Sequence, residues 1–171
     1  FKMMLNTLMW CLLILILSEP NKTLMNSSNT SSFTSHKSLE MIRPSYLKSG
    51  DTVAVLAPAG ILKQDAEVIQ KTKTLLNSWG LEVVFGDHLE TKAHHFAGTD
   101  AQRTSDLQNA LDHPNIKAIW CARGGYGTLR IIDNLDFEGF KNHPKWVVGY
   151  SDVTVLHNAL NNLGYESLHA M

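Results

Sequence analysis

Ser151 stands in Gly149-Tyr150-Ser151-Asp152, directly after the apolar run Trp146-Val147-Val148 and just before apolar residues at helical spacing. A serine on a tight turn between strand and helix exposes its hydroxyl. The helix N-terminus behind it adds partial positive charge that favours a developing oxyanion. The same position also suits a serine that merely caps the helix, and on position alone capping is the commoner role. The Gly-x-Ser-x-Gly pattern is absent, because Val153 occupies the second glycine position.

A second group is Arg123-Gly124-Gly125-Tyr126-Gly127. Its glycines allow the close backbone approach that an oxyanion hole or a phosphate cradle requires. A plain glycine-rich turn between strand and helix fits the residues equally well. The loop is not a dinucleotide fingerprint, since Gly125-x-Gly127 is followed by Arg130 where a glycine is needed, and no Gly-x-x-x-x-Gly-Lys-[Ser/Thr] occurs. Histidines number eight, but none stands in His-Glu-x-x-His spacing, and adjacent His94 and His95 on an extended segment point apart. No metal and no cofactor is expected. His157, two turns after Ser151 and beside the apolar face of its helix, reads as structural rather than as a base. Of the two cysteines, Cys121 sits in an apolar run and reads as a small buried hydrophobe, and Cys11 lies in a segment of different character, so no disulfide follows.

The elements that must position these loops alternate along the chain. Residues 52–57 form a short apolar run ended by Pro58-Ala59-Gly60, which suits a buried parallel strand entering a loop. Leu62, Ala66, Ile69, Leu76 and Trp79 share a helical face, and Gly80 supplies the stop. Strands follow at residues 81–85, 116–121 and 145–150. Thr99 and Gln102 form a capping box that opens a helix running to Pro114, another helix includes Ile131 and Ile132, and a last one carries Val153, Leu156, Leu160 and Leu163 up to Gly164. Such alternation predicts an α/β domain with a parallel sheet flanked by helices. Functional loops of such sheets gather at the carboxyl ends of the strands.

The 171 residues, 44% hydrophobic, suffice for one globular domain with a core. A net charge of -1 argues against a nucleic-acid partner, which would favour a strongly basic face. Residues 8–17 are unbroken apolar, too short for a membrane-spanning helix but suited to a signal peptide. Residues 21–37 are rich in Asn, Ser and Thr and bury too little to order themselves. The expected organisation is an apolar, signal-like segment or upstream translation at 1–20, a linker at 21–40, and a domain at 41–171 that belongs to a longer protein.

The stretch Phe96-Ala97-Gly98-Thr99-Asp100-Ala101-Gln102-Arg103, the stretch from Ile119 to Gly127, and Pro144-Lys145-Trp146-Val147-Val148-Gly149-Tyr150-Ser151-Asp152 together resemble the LD-carboxypeptidase (muramoyltetrapeptide carboxypeptidase) family. Ile42-Arg43-Pro44, Gly50-Asp51 and Ala57-Pro58-Ala59-Gly60 resemble that family's amino terminus. The motifs keep their order across residues 41–171, and the pattern departs at Leu168-His169-Ala170-Met171, where many members carry His-Gly-Pro-Met. The resemblance implies a flavodoxin-like nucleophile domain, one piece of a two-domain serine peptidase that releases terminal D-alanine from murein tetrapeptides. It implies Ser151 as nucleophile and an oxyanion hole from the Asp152 N–H with Gly124 and Gly125. It further implies Arg123 and Tyr126 as substrate contacts, and a triad glutamate and histidine supplied by a carboxy-terminal domain outside this chain. The partner is then a murein tetrapeptide or related small peptide, the full-length protein is expected to be a homodimer, and this piece alone to be inactive. A start at Met41 places the enzyme in the cytoplasm, whereas a working apolar run at 8–17 exports it, and the cytoplasm is the expectation. Two alternatives remain: a related self-immunity peptidase acting on a peptide-nucleotide antibiotic, and a non-catalytic binding module in which Ser151 is only a cap.

Overall fold

Strand β1 (Thr52–Leu56), β3 (Ile116–Cys121) and β4 (Trp146–Gly149) are built almost wholly of buried residues, as central strands covered on both faces must be. β2 (Glu82–Phe85) alternates instead, with Val84 exposed, and lies at an edge. A computed structural model, which describes residues 40–62 and 66–170, joins these with β5 (Leu168–His169) in one sheet of order β2-β1-β3-β4-β5. Every pairing is parallel. This is the flavodoxin-like order.

Alternate residues of β1 sort the core into two layers. Val53 and Val55 pack with Leu76 of α1 (Ala66–Ser78), together with Leu47, Trp120 and Trp146. Ala54 and Leu56 face the opposite layer, formed by α2 (Asp100–Asp112), α3 (Thr128–Ile131), α4 (Glu138–Asn142) and α5 (Thr154–Asn162). Cys121 lies in that layer, where burial pushes its thiol up to about 12.

The capping box forms as the sequence predicts. The Thr99 hydroxyl accepts from the Gln102 N–H at 3.3 Å, and the Gln102 side chain accepts from the Thr99 N–H at 2.9 Å. Two elements escape the sequence reading. α4 is five residues long and contains Gly139, and it forms because the fully buried Phe140 docks in the core. β5 has two residues and exists by pairing with Val148 and Gly149. One expectation is corrected. His94 and His95 lie in a tight turn closed by Ala93 and Phe96, with His94 at φ +58°, and not on an extended segment. Residues 8–17, and all of the expected linker except Glu40, fall outside the described residues, within which no helix is long and apolar enough to cross a membrane.

Candidate active site

In this strand order the chain leaves β1 toward one side and β3 toward the other, opening a crevice between their carboxyl ends. The loops after β1 and β3 are stitched together there by the Gly60 N–H, which donates to the Gly124 carbonyl at 3.0 Å. The loop after β4 closes in from the other side of β3. All three loops singled out in the sequence therefore meet at one edge.

Ser151 sits at φ +59°, in the left-handed region that residues bearing a Cβ avoid. Tyr150 before it is extended, and a single 3₁₀ turn, Ser151–Val153, leads into α5. The serine is exposed, its side chain caps neither turn nor helix, and its hydroxyl bonds to no described residue. A capping role is thus not what the turn provides. Gly124 presses directly on the serine: a Cβ there would lie 2.8 Å from the Ser151 Cβ and 2.8 Å from the Tyr150 carbonyl oxygen. No side chain other than hydrogen fits.

Among the described residues, the N–H groups of Asp152 and Gly125 make no hydrogen bond. The Asp152 carboxylate has a separate task, accepting the Thr128 N–H at 2.8 Å and so joining the serine turn to the start of α3. Arg123 donates from Nη1 to the Ile61 carbonyl at 2.7 Å, which lays its guanidinium along the β1 loop. Tyr126 is half exposed, its ring 5.9 Å from that of Phe96 and 6.4 Å from that of His95.

His157 is buried behind the turn. Its Nε2 meets the Gly149 carbonyl at 3.1 Å, and its Nδ1 meets the Ser167 hydroxyl at 2.8 Å. A carbonyl only accepts, so Nε2 carries the hydrogen and Nδ1 accepts from the serine. Burial holds this ring's pKa below its ordinary 6.5. Both nitrogens are occupied, which leaves His157 supporting the strand end rather than serving as a base. Among the described residues, no group of three His, Cys, Asp or Glu side chains could hold a metal ion.

Three charged residues beside the crevice were not assigned from sequence. Asp100 receives hydrogen bonds from both Arg103 and Arg130, and the Arg130 contact in particular holds its carboxyl below the usual range. Arg103 is 1% exposed and bonds to the carbonyls of Pro58 and Gly127. In sequence it reads as an unremarked helical arginine, because nothing local shows that its helix turns that face inward.

Residues 53–170 match the family described as LD-carboxypeptidase N-terminal domain. The chain belongs to the LD-carboxypeptidase family. The murein tetrapeptide carboxypeptidase of Pseudomonas aeruginosa is 37% identical over 118 residues, covering 68% of this chain and 38% of that protein. A muramoyltetrapeptide carboxypeptidase from Oxalobacter formigenes superposes with a TM-score of 0.60 at 32% identity, over 68% of this chain and 38% of the other. An MccF-like protein from Bacillus anthracis does so with a TM-score of 0.67 at 31% identity, over 72% and 38%. This LD-carboxypeptidase domain thus spans well under half the length of the relatives it matches.

Proposed function

We propose that this chain contributes the nucleophile, Ser151, to a serine LD-carboxypeptidase that releases terminal D-alanine from murein tetrapeptides. The observation that carries the reading is the left-handed Ser151, uncapped and exposed, held against Gly124 at the edge where three loops meet. An amide carbonyl resists attack by a neutral hydroxyl, so the serine must lose its proton to a base as it attacks. That base is a histidine oriented by a glutamate, both outside this chain. The N–H groups of Asp152 and Gly125 would receive the tetrahedral oxyanion, where one such donor is typically worth about 10²–10³ in turnover. The amine of D-alanine leaves with the proton, and water then hydrolyses the acyl-serine. Arg123 and Tyr126, on the same glycine loop, would contact the peptide.

The test completes the chain with the carboxy-terminal part of the Pseudomonas relative and measures D-alanine release. Ser151→Ala is expected to lower turnover at least about 10³-fold, since triad members act as a unit. The melting temperature should hardly change, because the hydroxyl caps nothing. A variant that melts early yet still releases D-alanine overturns the assignment. The likeness to the MccF-like protein favours a second reading, a self-immunity peptidase acting on a peptide-nucleotide antibiotic. Turnover of such a conjugate in place of the tetrapeptide would select it.

A further inference from the structure

We infer that Arg103 is the positioning residue of this site, setting the separation of the β1 and β3 loops and through them the seat of Ser151. The inference rests on the peptidase reading for its kinetic consequence but not for its structural one.

A single nitrogen, Nη1, donates to Pro58 O at 2.7 Å and to Gly127 O at 2.8 Å, so one atom bridges the loops on the two sides of the crevice. Nη2 is held by Asp100, and the guanidinium lies over the Phe96 ring at 4.9 Å. Gly127 is the residue before α3, and the next N–H, that of Thr128, is bound by the Asp152 carboxylate. A short covalent and hydrogen-bonded path therefore runs from Arg103 through Gly127 and Thr128 to Asp152, the neighbour of Ser151. Gly127 is shaped for this contact: a Cβ there would stand 2.5 Å from the Arg103 Nη1.

Stability alone does not account for a cation in this place. Arg103 lies in the first turn of α2, where the helix dipole disfavours positive charge. Its Nε is buried without a hydrogen-bond partner among the described residues. A well-packed apolar side chain is commonly as stabilising as a buried ion pair. What an apolar residue lacks is a planar, rigid set of donors that reaches two loop carbonyls and a carboxylate at once, and lysine lacks it too.

The experiment uses the same completed enzyme. Arg103→Lys and Arg103→Ala are each expected to lower kcat about 100-fold with KM changed little, since a displacement of about 1 Å at a reacting centre has that effect. Guanidinium ion at millimolar concentration should restore part of the Arg103→Ala turnover by refilling the vacated site. Leu111→Ala, a core truncation in the same helix, serves as the stability control and should show neither the kcat loss nor the rescue. A kcat for Arg103→Lys near the parent's, or a loss matched by Leu111→Ala and untouched by guanidinium, overturns the inference. Amide exchange in the 171-residue chain gives a readout that needs no turnover and no folded alanine variant. Arg103→Lys should speed exchange of the Gly60 and Thr128 amides, which are bonded to Gly124 and Asp152, while leaving α5 protected. Uniform exchange change, or none, sinks the positioning role whether or not the enzyme is a peptidase. Loop loosening in an enzyme that never releases D-alanine would leave Arg103 standing and fail the peptidase reading instead.

Discussion

Helix α2 carries a buried cation at each end, and the two ends are built on opposite principles. At its C-terminus, Lys145 reaches in from the segment before β4 and donates to the carbonyls of Ala110, Leu111 and His113 at 2.9, 2.8 and 2.8 Å. Those are groups the helix cannot satisfy by itself, and the dipole there favours positive charge. Burial lowers the Lys145 pKa to about 8, which still leaves the side chain charged at neutral pH. All three ammonium hydrogens have acceptors, and no described loop of the crevice is involved. Arg103 sits at the other end against the dipole, with one nitrogen unpartnered; Nη2 is held by Asp100 of its own helix, while Nη1 goes to two loop carbonyls. One cation completes a helix and the other spaces a cleft. A buried cation whose hydrogens all find acceptors on one helix end points to stability, and one left with an unpartnered nitrogen while it ties two loops together points to the site.

The sharpest break in this contrast comes from the cleft side. Gly124→Ala puts a Cβ within 2.8 Å of both the Ser151 Cβ and the Tyr150 oxygen, and neither is the movable end of a flexible chain. Turnover in the completed enzyme should fall about 100-fold or more through displacement of the serine, with a smaller loss of melting temperature. An active Gly124→Ala enzyme would show that the serine turn does not depend on this contact. At the other end of α2, Lys145→Met strips the helix carbonyls of Ala110 and Leu111 of their side-chain donor and leaves that of His113 with only the Ile116 N–H. Chemical denaturation should show a loss of about 2–4 kcal/mol, with turnover per folded molecule unchanged. An equal loss of activity would mean that the two ends of the helix are not separable.

The smallest expected effect lies beneath the serine turn. The folded His157 pKa is held below 6.5, so the native state binds fewer protons than the unfolded chain once the pH drops below that value. Its contribution is fully present above 6.5 and is lost as the pH falls through the folded pKa. Thermal melts of the parent should weaken over this interval. His157→Gln, which can still donate to Gly149, should flatten the slope. A slope of the same size in the glutamine variant would assign the acid sensitivity to another group.

Much of this molecule is legible in its sequence because it is local. Strand β3 has the bounds its apolar run predicts, and β1 and β4 match theirs to within one residue at each end, because continuous apolar runs have few other uses in an alternating chain. The capping box at Thr99 is legible because both partners lie within four residues. Elements α4 and β5 are not, since one is held by a single buried aromatic ring and the other by two residues of pairing. The histidine turn departs from expectation for a similar reason. Its reversal is closed by reciprocal bonds between Ala93 and Phe96, which no spacing rule signals.

The sequence by itself determined the alternation of strands and helices, the family, and the serine that stands at a strand-to-helix junction. Those depend on periodicity, on turn chemistry and on residues close together in the chain. Only the tertiary structure decided that Ser151 adopts the left-handed conformation without capping its helix, that Gly124 must be glycine to let it do so, and that Arg103 faces inward. These facts depend on contacts between residues 24 to 45 positions apart, such as Arg103 with Pro58 and Gly127 or Asp152 with Thr128. The parallel topology alone brings such residues together. A side chain's own neighbours set its propensity, but which loop carbonyls it finds is fixed only when the strands order themselves in the sheet.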